Sequence, residues 1–95
     1  MKQVTDRWGN RITLTDERWH HIIEWHPELE GFQEEVLETI RKGRRRQDPM
    51  DQQKYKYIAP VAGLSSDLTH VVVVVRIAEK KFALTAYGIE KKGGE

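Results

Sequence analysis

The run Trp19-His20-His21-Ile22-Ile23-Glu24-Trp25-His26 gathers three of the chain's four histidines and two of its three tryptophans. Imidazole titrates near neutrality, so it is the usual side chain for taking up and giving back a proton. His21 and His26 are five residues apart, about 140° around a helix, and share a face only if Pro27 unwinds the last turn. A general acid and a general base on opposite sides of a scissile phosphate need separation of that kind. His20 lies about 100° from His21 and does not serve the same face. The plainer alternative is one histidine bonded to a core carbonyl and the others exposed. His20 and Glu24, at i and i+4, are the best pair for a metal. Catalytic zinc wants three protein ligands and structural zinc four, and only His26 and the distant His70 are left to supply them. The expectation is chemistry without metal or cofactor.

Two later stretches carry complementary groups. Lys54-Tyr55-Lys56-Tyr57 alternates a cationic with an aromatic face, and tyrosines on a sheet surface can stack bases while lysines meet phosphates. The alternative places both tyrosines in the core and leaves the lysines to guard an edge. In Phe82-Ala83-Leu84-Thr85-Ala86-Tyr87, period two puts Thr85 and Tyr87 on one face and Phe82, Leu84 and Ala86 on a core face. The two hydroxyls are then free to donate to a phosphoryl oxygen, or are simply good strand formers.

The elements that must position these groups follow from local pattern. Gln3 to Leu14 reads as a hairpin turning at Trp8-Gly9-Asn10. Thr15, followed by Asp16 and Glu17, caps a first helix that ends near Trp25. A second helix is expected from about Leu29 to Lys42, with Leu29, Phe32, Val36, Leu37 and Ile40 as its apolar stripe and Gly43 at C′. Strands are then expected at Arg44 to Gln47, Gln53 to Ala59, Thr69 to Ala78 and Phe82 to Ile89. The valine run 71–75 marks a central strand buried on both faces. The fold class expected is α+β: a short hairpin, then two N-terminal helices on one face of a mainly antiparallel four-stranded sheet, one domain over residues 1–90, with a disordered tail at 91–95.

Composition narrows the classes. At 95 residues the chain makes one core. Without cysteine there is no disulfide framework and no thiolate nucleophile. The absence of a long apolar run or a signal-like start predicts a soluble, untargeted, cytoplasmic protein with no membrane partner. Net charge is +1, but its distribution is uneven. Seven basic residues (Arg41, Lys42, Arg44, Arg45, Arg46, Lys54, Lys56) stand against Asp48 and Asp51, opposite an acidic block at Glu28, Glu30, Glu34, Glu35 and Glu38. Arg41 and Lys42 also complement a helix C-terminus, whereas Arg44 to Arg46 lie beyond it and present a phosphate-attracting face.

Thr15-Asp16-Glu17-Arg18-Trp19, His21-Ile22, His26-Pro27-Glu28, the acidic second helix, the tyrosine and valine strands and the closing Thr85-Ala86-Tyr87 together resemble the small phage and bacterial domains grouped with barnase, EndoU, colicin E5/D and RelE. The resemblance spans about residues 11 to 89. It implies two helices followed by a four-stranded antiparallel sheet, and metal-independent RNA cleavage by attack of a ribose 2′-hydroxyl on the adjacent phosphate, as in toxins held by an antitoxin or immunity protein. On that pattern His21 and His26 are base and acid, Arg46 or Lys54 stabilises the phosphate, Thr85 and Tyr87 orient it, and Arg44, Arg45, Tyr55 and Lys56 bind RNA. Three successive arginines leave the choice among them open. A domain of the same fold that binds RNA or protein without chemistry is the alternative. Oligomeric state is open.

Overall fold

The computed structural model describes residues 1–65 and 67–91. The chain begins with a hairpin, β1 (Lys2–Thr5) and β2 (Arg11–Leu14), closed by a turn in which Gly9 has φ of 83°, the left-handed region that glycine enters without steric cost. Helix α1 (Asp16–Trp25) follows, capped by Thr15, whose Oγ1 accepts from the Arg18 N–H at 3.1 Å. Pro27 cannot continue it. His26 takes up φ −132°, ψ 71° and the chain enters a short 3-10 turn, Pro27–Leu29. The second helix therefore starts later than the apolar stripe predicts: α2 runs Gln33–Lys42. The cause is Gly31, whose φ of 86° breaks the chain direction after Leu29. Strands β3 (Arg44–Gln47), β4 (Lys54–Pro60), β5 (His70–Ile77) and β6 (Lys81–Ile89) complete the order. No helix among the described residues is long and apolar enough to cross a membrane.

The architecture is α+β, with a mixed sheet of six strands in the order β1-β2-β6-β5-β4-β3. This corrects the expected four strands with a separate hairpin. The hairpin joins the sheet because β2 meets β6 in a short parallel contact, Thr13 beside Phe82, while every other neighbour pair is antiparallel. Parallel pairing between residues so remote in sequence leaves no local trace. Ile12 and Leu14 of the hairpin are buried in the same cluster as Ile22, Leu29, Val36, Ile40, Tyr57, Val71, Val73, Val75, Ala83 and Ala86, which is the apolar gain that holds it there.

Gly43 ends α2 with φ −70° and ψ 163°, so its role is not the left-handed C′ position. A Cβ there would sit 2.4 Å from the Thr39 carbonyl oxygen and 2.7 Å from that of Ile58. Only glycine allows the helix end to lie against β4 and start β3 beside it. The last strand also departs from simple alternation. A bulge opposite Val74 and Val75 pairs Val74 with Thr85 but Val75 with Ala83, leaving Leu84 as the extra residue. Ala83 and Ala86 face the core, and Phe82 moves to the face of Thr85 and Tyr87. Of the tail expected at 91–95, residues 92–95 lie outside the described residues; the Lys91 N–H donates to Thr69 Oγ1 at 2.9 Å.

Candidate active site

The break at Pro27 is what brings two histidines together. His21 is exposed on the last full turn of α1, and His26, half-buried, has left the helix while its N–H still reaches the Ile22 carbonyl at 2.7 Å. Both line one hollow with Arg18, Ile22, Trp25, Leu84 and Thr85. The His26 ring lies 5.8 Å from the ring of Tyr87. Glu28, on the 3-10 turn, holds this corner closed: its Oε2 accepts the N–H of Gly88 at 3.1 Å and stands 3.7 Å from His26 Nδ1. The carboxylate thus faces the Nδ1 edge of the His26 ring.

Beside the hollow, the sheet presents the face opposite the helices. Residues directly across paired strands share a face, so the register sets out its rows. Tyr87, Val72, Ile58 and Arg44 form one row; Thr85, Val74, Lys56 and Arg46 the next; Phe82, Arg76 and Lys54 a third. Valines floor the middle, and cations stand on β3 and β4. At about 4.8 Å per strand, Lys56 lies about 10 Å and Arg46 about 14 Å from Thr85 along their row. Neither Arg46 nor Lys54 lines the hollow, because β3 and β4 are the far strands of the sheet. Arg76, in the third row, is engaged by Gln53 at 2.9 Å and Asp51 at 3.9 Å.

Arg45 and Tyr55 fall on the other face and do not join this group. The Arg45 guanidinium sits between the rings of Trp8 and Tyr55, 4.0 Å and 4.5 Å from their centroids, and 3.6 Å from Asp6. Asp6, with no exposed side-chain surface, accepts from the N–H groups of Trp8 at 2.9 Å and Asn10 at 2.8 Å, from Asn10 Nδ2 at 3.1 Å, and from the hydroxyl of buried Tyr57. Burial pushes the Asp6 carboxyl up, but the hydrogen bonds from Tyr57, Asn10 and Trp8 outweigh it and hold the group below the usual carboxylate value. Tyr57 is displaced upward, by burial first and by the bond to Asp6 second. This network docks the hairpin loop across the core onto β3 and β4, a structural task that consumes the middle arginine of the three.

Of the predicted residues, His21, His26 and Thr85 share a hollow with Tyr87 at its rim, Arg44, Arg46, Lys54 and Lys56 share the adjoining face, and Arg45 and Tyr55 are turned away. Sequence reasoning missed Arg18, one helical turn before His21, and Trp25, 77% exposed at the hollow's edge. It also missed Glu28, although i+2 from His26 across a proline is a spacing that can fold back. Among the described residues no three His, Cys, Asp or Glu side chains gather as a metal site. Comparison of the chain with protein-family models, with curated proteins and with solved structures gives no match.

Proposed function

We propose that the protein is a metal-independent, toxin-like endoribonuclease, acting in the cytoplasm and resembling the barnase, EndoU, colicin E5/D and RelE group in both site and reaction. The observation that carries this reading is the meeting of His21, His26 and Thr85 in one hollow at the border of a cation-bearing sheet face. One imidazole takes the proton of a ribose 2′-hydroxyl as its oxygen bonds to the adjacent phosphorus. The bond from phosphorus to the 5′-oxygen breaks, and the second imidazole, protonated, gives its proton to that oxygen. The products are a 2′,3′-cyclic phosphate and a 5′-hydroxyl. Thr85 and the Arg18 guanidinium supply donors for the charge that develops on the non-bridging oxygens, and Arg18 takes the part that the resemblance implies for Arg46 or Lys54. Those two, with Arg44 and Lys56, draw the strand onto the sheet, and Trp25 offers a ring on which a flanking base stacks. The partner that would hold such an activity in check is an antitoxin or immunity protein.

The test is RNA cleavage in EDTA by wild-type protein and by the His21→Ala and His26→Ala variants. Both variants fold as wild type and lose cleavage by at least a hundredfold, on the order of what one acid or base contributes. Retained cleavage in both ends the reading. A second reading, an RNA-binding module of the same shape without chemistry, draws on the cationic rows alone, which need no imidazole. It predicts salt-sensitive binding of RNA by wild-type protein with no cleaved product.

A further inference from the structure

A second cleft opens at the end of the sheet where β3 and β5 begin and β4 ends, away from His21 and His26. It is lined by Arg7 from the hairpin loop, Lys42 from the last turn of α2, Arg44 of β3, His70 of β5 and Lys91 beyond β6, over a floor of Gly43, Ile58, Ala59 and Pro60. Five elements thus deliver nitrogen-bearing side chains to one place, and no lining residue carries a carboxylate. Among the described residues neither Arg7 nor Arg44 has an acidic partner within ion-pair distance; Lys42 is shared with Glu38 at 3.4 Å. The last carbonyls of α2 are too weak a counter-charge for so many cations. A cluster of like charge inside a concave wall raises the local concentration of an anion, and guanidinium groups match phosphate in particular, because their paired N–H donors fit two of its oxygens.

The register ties this cleft to the hollow. Arg44 and Ile58 of its lining stand in the same row as Val72 and Tyr87, and Tyr87 borders His26. Two strand spacings, about 10 Å, separate Ile58 from Tyr87, too far for both sites to grip one phosphate and well placed for two phosphates of one strand. We propose that the cleft of Arg7, Arg44, His70 and Lys91 is a phosphate subsite for the RNA strand, taking a phosphodiester further along the chain than the one the histidines face. The proposal rests on the RNA reading above and adds that the protein grips an oligonucleotide at two points.

The experiment follows backbone amide resonances of isotope-labelled protein during titration with a 2′-O-methyl hexanucleotide, which cannot be cleaved by 2′-hydroxyl attack, and separately with inorganic phosphate. The expected result is that the oligonucleotide shifts Gly43, Arg44, Ala59 and His70 together with His21, His26 and Thr85. The Arg7→Gln/Arg44→Gln double variant, whose replaced residues are exposed, then binds about tenfold more weakly, with a salt dependence shallower by about one to two units of log–log slope. Shifts confined to the histidine hollow, or a double variant that binds as wild type, overturn the subsite while leaving the RNA reading standing. No oligonucleotide binding at either place overturns both. Shifts at the cleft with inorganic phosphate and none with the oligonucleotide overturn the strand subsite in favour of a small-anion site.

Discussion

Replacing Asp6 with alanine tests how the hairpin is held against the rest of the sheet. The carboxylate is buried and accepts from two backbone N–H groups, from Asn10 Nδ2 and from the Tyr57 hydroxyl, with Arg45 3.6 Å away. The turn N–H groups are near the surface and recover water when the acceptor goes. Tyr57 is fully buried and does not, so its hydroxyl is left with a desolvation cost of about 1–3 kcal/mol. Arg45, held between two rings, loses the charge that offsets its own partial burial. The sum is about 3–4 kcal/mol, the usual range for removing one member of a buried charged network. For a chain of this length that is a fall in Tm on the order of 20 °C, read by thermal and urea unfolding. Tyr57→Phe alone costs about 1–2 kcal/mol, since the carboxylate keeps its other donors. Because the stranded hydroxyl is absent from the double variant, Asp6→Ala/Tyr57→Phe costs less than the sum of the two by about 1 kcal/mol or more. An Asp6→Ala cost below about 1 kcal/mol, or strict additivity in the cycle, would refute the account.

Three further outcomes are expected. Gly43→Ala forces a methyl into contact with the Thr39 and Ile58 carbonyls, atoms that cannot rotate away, and destabilises by about 1–3 kcal/mol; an unchanged melting curve would show that α2 can shift to make room. Stability falls as pH rises above 10, because the unfolded phenol ionises near its ordinary value of 10.0 while native Tyr57 keeps its proton; at the acid end Asp6 contributes stability above 3.8 that is lost as pH falls through its lower native value. Urea midpoints across pH, compared between wild type and Tyr57→Phe, report the alkaline arm, and identical slopes in the two proteins would exclude Tyr57 as its source. On the ribonuclease reading proposed above, Glu28→Gln keeps the acceptor for the Gly88 N–H but loses the charge facing His26 Nδ1, so kcat/KM for RNA is expected to drop by about tenfold with Tm unchanged; equal activity would make Glu28 a strand-edge cap and nothing more.

The parts of the site legible in the sequence are those governed by local rules. Pro27 disfavours helical backbone at His26, and His26 has left the helix, which meets the condition under which His21 and His26 share a face. Thr85 and Tyr87 share a face because strands alternate. What was not legible depended on partners far along the chain. Period two already separates Arg45 from Arg44 and Arg46, but only Asp6, thirty-nine positions earlier, together with Trp8, decides that Arg45 is the one turned inward. The signal was present as an aspartate just before a Trp-Gly-Asn turn, the usual place for a carboxylate that accepts from turn N–H groups; its second use, as a dock for Tyr57, was not. Simple alternation, which has no place for a bulge, puts Phe82 and Leu84 in the core; the bulge lies between the pairing of β6 with β5 and its parallel contact with β2 at Phe82, partners remote in sequence. On the ribonuclease reading, the cation that stabilises the scissile phosphate stands on α1. Arg18 is on the same helix as His21 and is held near it by the helix itself, whereas Arg46 would have to reach across two strands, about 14 Å. If Arg46→Gln abolished the chemical step while Arg18→Gln left it intact, the hollow would not be where the bond is broken.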